Sequence, residues 1–336
     1  MIPLRRRRRQ RRPAPLRLLL LLFLALLLPS CSGSPRAADA KPIVVATTGH
    51  IADVARTIGG DAVEVRQIFG PGVDPHTHQA TRADVLDMYE ADLVLVHGLH
   101  LEAQMRFTFD ALRRGGRRLA VVTDAIPRER LIPADASIGG TYDPHVWMDP
   151  QLFSLVVDEI RDRLVALVPE ARREMDERLE TLHRELVEID ASTEAAVRTV
   201  PHDARVLVTA HDAFNYFARR YGIEVASIQG ISTESEAGVR HVQELVDLIV
   251  ERSVPAVFVE TSVSTRGLEA LLDASRRAGH DVRIGGSLLS DSLGPADTFE
   301  GTYLGMLDHN ATTIVRALGG SAPERGHFGR LVAPPR

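Results

Sequence analysis

Cysteine occurs once in these 336 residues, at Cys31, so no disulfide can close within the chain. Tryptophan also occurs once, at Trp147. Residues 1–30 contain no acidic residue, but they hold eight arginines. Those arginines mask the charge of the remainder: out of 40 basic and 45 acidic residues in all, residues 31–336 keep a net charge of −13. That balance argues against a nucleic-acid partner and is compatible with a cationic ligand. The sequence has no short internal repeat, no His-Glu-x-x-His and no hydrolase signature, so no compact motif marks a catalytic centre. What is present is ordinary for a soluble globular protein, 44% hydrophobic and 25% charged, and long enough for two domains with a core each.

The apolar run from Leu16 to Leu28 has the length of a signal-peptide core and is short for a membrane-spanning helix. Basic residues from Arg5 to Arg12 precede it, and Leu28-Pro29-Ser30-Cys31 ends it, followed by Ser32-Gly33-Ser34. The segment resembles a bacterial lipoprotein signal, with residues 1–31 as signal and Cys31 as the lipidated residue; Pro29 is an unusual occupant of such a signal. An uncleaved membrane anchor is the other reading. Both place the body of the chain outside the cytoplasm, in the periplasm or at the cell surface, held to a bacterial membrane. Residues 32–42, rich in Ser, Ala, Pro and Gly, read as a tether.

From Ile43 the chain alternates strand and helix patterns. Strands are expected at 43–47, 63–69, 93–96 and 119–122, with helices at 51–58, 81–90 and 101–113 between them. Residues 126–142 form a loop without histidine. From Leu152 the apolar period becomes helical through Leu167, and Pro169 opens a further helix over Glu170 to Thr199. Such a helix spans roughly 45 Å at 1.5 Å per residue and reads as a rigid rod crossing two lobes. Alternation then resumes, with strands at 206–209, 224–228, 256–259 and 282–284. Helices are expected at 213–220, at 235–252 with Ser235 as N-cap, at 264–278 and at 300–318. This grammar is α/β: two βα lobes with parallel sheets, joined by a long rigid linking helix. The expected boundaries are a lobe at 43–150, a linking helical region at 151–200, a second lobe at 201–320 and a tail at 321–336.

In open parallel sheets, ligands bind beyond the carboxyl ends of the strands. Two Asp-Pro-His turns, Asp74-Pro75-His76 and Asp143-Pro144-His145, deliver histidines from loops of the first lobe. His211, beyond the strand at 206–209, and Asp291, in a late loop, are the matching candidates from the second lobe. Imidazole and carboxylate together suit zinc, manganese or iron. On the residues alone other readings stay open: a histidine bonded to its own turn, a structural cap at His211, an Asx turn at Asp291.

Several stretches carry a more specific signal. Gly72-Val73-Asp74-Pro75-His76, Asp143-Pro144-His145-Val146-Trp147-Met148-Asp149, Thr209-Ala210-His211-Asp212-Ala213-Phe214, Gly230-Ile231-Ser232-Thr233-Glu234-Ser235-Glu236-Ala237 and Gly285-Gly286-Ser287-Leu288-Leu289-Ser290-Asp291 resemble one family. That family is the metal-binding lipoproteins of bacterial zinc and manganese ABC importers, and the likeness covers nearly all of residues 43–320. It implies a monomer that binds one divalent ion between two lobes, hands it to a permease with its ATPase, and catalyses nothing. The implied ligands are His76, His145, His211 and Asp291. Asp212, Glu234, Glu260 and His78 are candidates to orient them.

Departures qualify the metal. Residues 126–142 lack the long His- and acid-rich loop of many zinc-dedicated members, and His211 stands where manganese-tuned members carry Glu. Three histidines with one carboxylate tilt towards zinc, with iron behind zinc and manganese, but similar relatives with three histidines resemble binders of both zinc and manganese. His78 and His50 replace residues that are aromatic and apolar in many relatives, while His97, His100 and Trp147 read as packing or surface residues. His183, His202, His241, His280, His309 and His327 are expected in solvent. Rival functions from other classes are a zinc hydrolase, using Asp212 or Glu260 as base, and an adhesin stabilised by its metal.

Overall fold

Side-chain caps fix where four helices begin. Thr48 Oγ1 accepts from the Ile51 N–H, Thr81 and Asp84 form a reciprocal capping box, Asp149 accepts from Gln151 and Leu152 with Pro150 next to it, and Thr302 accepts from Gly305. The computed structural model describes residues 40–134, 142–235 and 237–332. The signal segment 1–31 with Cys31, most of the tether, residues 135–141 of the histidine-free loop, Glu236 and the last four residues of the tail lie outside the described residues.

The first lobe runs β1 (Ile43–Ala46), α1 (Gly49–Gly59), β2 (Glu64–Gln67), α2 (Arg82–Glu90), β3 (Leu93–Val96), α3 (Arg106–Arg114) and β4 (Leu119–Val121). Its parallel sheet has the order β2-β1-β3-β4. Every residue of β1 and β3 is buried, as expected of central parallel strands covered on both faces. Two helices follow, α4 (Pro150–Leu167) and α5 (Arg172–Arg198). The second lobe runs β5 (Val206–His211), α6 (Asn215–Tyr221), β6 (Glu224–Gln229), α7 (Val239–Glu251), β7 (Ala256–Glu260), α8 (Arg266–Arg277), β8 (Arg283–Leu288) and α9 (Tyr303–Ala317). Its sheet, β6-β5-β7-β8, repeats the order of the first.

Helix α5, about 40 Å long at 1.5 Å per residue, lies against α1 and α4 and against α6 and α9. One apolar cluster continues from Val44 and Ile51 through Trp147, Leu152 and Leu186 to Phe214, Phe258 and Ile314. The two lobes therefore share a core along the linking helix. Smaller clusters cover the outer face of each sheet. Among the described residues no helix is long and apolar enough to cross a membrane.

Differences from the sequence reading have local causes. Ser235 is not an N-cap: its carbonyl faces Gln229, and α7 begins only after Gly238. The helix expected from Leu101 starts at Arg106, because Gly98, Leu99 and His100 all adopt positive φ and a 3-10 turn follows. Strand β8 runs on to Leu288. A Cβ at Gly285 would sit 2.7 Å from the Phe258 ring and 2.8 Å from Ala317, so glycine there admits α9 against the strand.

Candidate metal centre

The two Asp-Pro-His turns are one device used twice. Proline fixes φ and has no N–H, and the preceding aspartate folds back so that its Oδ1 accepts the histidine N–H at 2.9 Å, from His76 to Asp74 and from His145 to Asp143. Each turn presents its imidazole beyond the carboxyl end of the first sheet. His211 is the last residue of β5 rather than part of the following loop. Asp291 lies three residues past β8, and the turn before it is clamped by the Asn310 side chain, which bonds both the N–H and the carbonyl of Leu289 at 2.9 and 2.7 Å.

The structure brings these four side chains together: one donor atom from each lies within 4.8 Å of all the others. His76 Nε2 is 3.3 Å from His145 Nε2 and 3.6 Å from Asp291 Oδ2; His145 Nε2 is 3.4 Å from Asp291 Oδ1, and His211 Nε2 is 3.1 Å from Asp291 Oδ2. Four donors at about 2.0–2.1 Å from a tetrahedral zinc ion lie roughly 3.3 Å apart, so the spacing suits such an ion. His145 and His211 are fully buried, Asp291 is 1% exposed and His76 4%. Both oxygens of Asp291 and Nε2 of His211 are buried without an aligned hydrogen bond, although oppositely charged partners stand at contact distance. Buried polar atoms without aligned bonds are costly, and here they converge on one point. A cation there satisfies them.

Carboxylates behind the imidazoles hold them in place. Glu260, at the end of β7 beside β5, accepts the His211 backbone N–H at 2.8 Å and places Oε2 2.6 Å from ring Nδ1. Asp143 Oδ1 stands 2.7 Å from His145 Nδ1, while its Oδ2 accepts from Asn215 at 3.1 Å and its carbonyl from the Tyr216 hydroxyl at 2.8 Å, both from the second lobe. In each case Nδ1 carries the proton and Nε2 is left to face the cluster. Burial opposes charge on His145, but Asp143 and Asp291 outweigh it and raise the imidazole to about 9. Burial opposes charge on His211 too, and Asp291 with Glu260 raises it well above its ordinary value. Asp291, which burial would raise, is held well below the usual carboxylate range by His211 and His145. His76 is lowered by burial to about 4.

The other candidates separate clearly. Glu260 touches a cluster imidazole; Asp212, Glu234 and His78 do not. Asp212 bonds Asn215 instead, and burial raises its carboxyl. Glu234 is exposed and accepts from Gln104 of the first lobe at 2.5 Å. It lines, with His100 and Ile231, the recess that reaches His76. His78 bonds Asp84 at 3.0 Å, with its ring against Phe69. His50 and His97 are fully buried around Trp147, and His100 is exposed. The six histidines expected in solvent lie away from the cluster, half-buried or exposed, each with a polar partner. Sequence reasoning missed Asp143. Its signal was the first residue of the Asp-Pro-His turn itself.

Two βα lobes closing over three imidazoles and a carboxylate define a protein that binds a divalent transition metal ion in its cleft. The chain belongs to the family of the periplasmic component A of zinc-uptake complexes, ZnuA, whose model matches residues 44–317. It is 46% identical over 283 residues to the zinc-binding protein TroA of Treponema pallidum, covering 84% of this chain and 90% of that one. To the manganese-binding lipoprotein MntA of Bacillus subtilis it is 44% identical over 285 residues, covering 84% and 92%. The metal ABC transporter substrate-binding lipoprotein FimA of Streptococcus parasanguinis is 28% identical over 297 residues, covering 87% and 94%. The solved structure of the Treponema TroA superposes with a TM-score of 0.80 at 44% identity, over 83% of this chain and 99% of that one.

Proposed function

We propose that this chain is the extracytoplasmic binding component of a zinc and manganese ABC importer, capturing one ion through His76, His145, His211 and Asp291. The observation that carries the reading is the convergence of four buried donors, two from each lobe, within 4.8 Å. Three neutral imidazoles and one carboxylate favour zinc over harder ions, and the relatives described as zinc-binding and manganese-binding are similar at nearly equal identity. Asp143 and Glu260 keep the ligating nitrogens of His145 and His211 turned to the ion.

Delivery to a permease and its ATPase completes the role. The chain acts as a monomer held to the membrane by a lipid on Cys31, in the periplasm or at the cell surface, and it catalyses no reaction. A hydrolytic zinc keeps an open position for water and a general base beside it. Here the carboxylates behind the cluster, Asp143 and Glu260, are already engaged with His145 and His211. The shared core along α5 favours small lobe movements on release over wide opening.

Uptake of radioactive zinc and manganese tests the proposal, in cells whose own binding component has been deleted and replaced by this chain together with its genomically adjacent permease and ATPase. Restored uptake that His211→Ala and Asp291→Ala abolish is the expected result. Uptake indifferent to the chain would refute it.

A further inference from the structure

We propose that Trp147 is a positioning residue for the metal centre: its indole sets the separation of His145 in one lobe from Asp291 in the other, and with it the affinity for zinc and the preference over manganese. The inference rests on the ligand set proposed above. In the sequence Trp147 reads as packing beside a ligand loop; the structure gives it bonds that packing does not require.

Trp147 is fully buried, two residues beyond His145 in a short 3-10 turn. Its Nε1–H donates to the carbonyl of Ser290 at 2.9 Å, and the next residue is Asp291. Its own carbonyl accepts from the hydroxyl of Tyr303, on α9 of the second lobe, at 2.7 Å. One residue is thus tied to the opposite lobe through both side chain and backbone, immediately beside one candidate ligand on each side.

The indole has little freedom to shift. His50 stacks on its face, with centroids 4.7 Å apart and planes at 19°. His97 and His145 meet it edge-on at 5.0 and 5.2 Å. His97, kept neutral by burial, donates from Nε2 to the carbonyl of Pro144 at 2.7 Å, which fixes the other side of His145. The loop is therefore held at Pro144 and at Trp147, with the ligand between them.

Productive metal geometry tolerates roughly 0.5 Å of error in donor position. His145 Nε2 and Asp291 Oδ1 are 3.4 Å apart across the cleft, and the indole bond is a short link between the segments that carry them. A link that holds the donors close favours a small four-coordinate site. Loosening it lets the donors part towards the higher coordination that manganese accepts, so selectivity falls along with affinity.

The test uses the chain with Trp147→Phe, which keeps a buried ring and removes the N–H, and Tyr303→Phe, which removes only the second tie. Zinc and manganese affinities, the visible absorption of the cobalt(II)-loaded protein and metal-free thermal unfolding are measured on both, beside His211→Ala. Trp147→Phe is expected to weaken zinc about 10-fold or more, the low end for residues that orient ligands. It should also narrow the zinc-to-manganese ratio and alter the cobalt spectrum, with Tyr303→Phe changing all three in the same direction by less. Parent affinities and an unchanged cobalt spectrum in Trp147→Phe, whatever its melting temperature, would overturn the proposal. Should that variant fail to fold, the same parent-like result in Tyr303→Phe overturns it instead. Full metal binding by His211→Ala would instead refute the ligand set, independently of Trp147.

Discussion

Asp143→Asn isolates the charge behind a ligand with little change of shape. Asparagine keeps one oxygen for the His145 N–H groups, and its amide nitrogen then faces Asn215, forfeiting the 3.1 Å bond there at about 1 kcal/mol of fold stability. The metal site loses more. In the bound state the His145 Nδ1–H donates to a neutral acceptor in place of a carboxylate, and loss of the charge of such an orienting partner predicts a roughly 10–100-fold weaker site, about 1.4–2.8 kcal/mol. The loss should depend on pH. Burial holds His145 down, but Asp143 and Asp291 raise it to about 9, so below that pH the ion must displace a proton at about 1.4 kcal/mol per pH unit. Without Asp143 the imidazole titrates lower and competes less for protons. The deficit of the variant is therefore largest near pH 9 and shrinks towards pH 6. Competition against a chromophoric zinc chelator across that range reads it directly. Unchanged affinity, or a loss by one constant factor at every pH, would refute the role assigned to Asp143.

Glu260→Gln removes the charge facing His211 Nδ1 and should weaken zinc by a similar 10–100-fold factor in calorimetric titration; an unaltered dissociation constant would contradict the arrangement. His50 bears on stability at acid pH. Burial, then the neighbouring His97, lowers it to about 3 from 6.5, so between those values the unfolded chain binds a proton that the folded chain refuses. Stability contributed by its neutral form is present above pH 6.5 and is lost as pH falls, by up to about 1.4 kcal/mol per pH unit. His50→Leu should flatten the acid limb of metal-free stability measured by urea unfolding between pH 4 and 7; equal slopes would show that another group carries it. Zinc at 100 times its dissociation constant should stabilise the fold by about 2.7 kcal/mol, reversibly removed by chelator, and a melting temperature indifferent to both would argue against a site that exists only in the folded state.

Much of the fold was legible because parallel βα units write themselves locally. Buried strands such as Ile43–Ala46 and Leu93–Val96 are continuous apolar runs, and Thr48, Thr81 and Asp149 cap the helices that follow. Features set by distant contacts were not legible. The extension of β8 depends on Gly285 admitting α9, and the late start of α7 depends on Ser235 turning back to Gln229. In the site, the four donors could be named from strand ends and turns, and from a family likeness. Their orienting partners were less legible: Glu260 could be named only alongside Asp212, Glu234 and His78, because its distance from His211 is set by two strands that neighbour in space and stand 49 residues apart in sequence, and Asp143, two residues before His145, reads as turn chemistry alone. Asp212, adjacent to His211 in sequence, points elsewhere. His50 and His97 are invisible to local patterning for the same reason: their place beside Trp147 exists only once the start of α1, the end of β3 and the turn that carries Trp147 have met.

The central claim is that one ion spans the cleft on two ligands from each lobe. Anomalous diffraction from crystals of the protein loaded with zinc, collected above and below the zinc edge, tests it most directly. The account predicts a single strong peak about 2.0–2.2 Å from Nε2 of His76, His145 and His211 and from the carboxylate of Asp291. A peak bound by one lobe alone, or one placed away from these four residues, would contradict it.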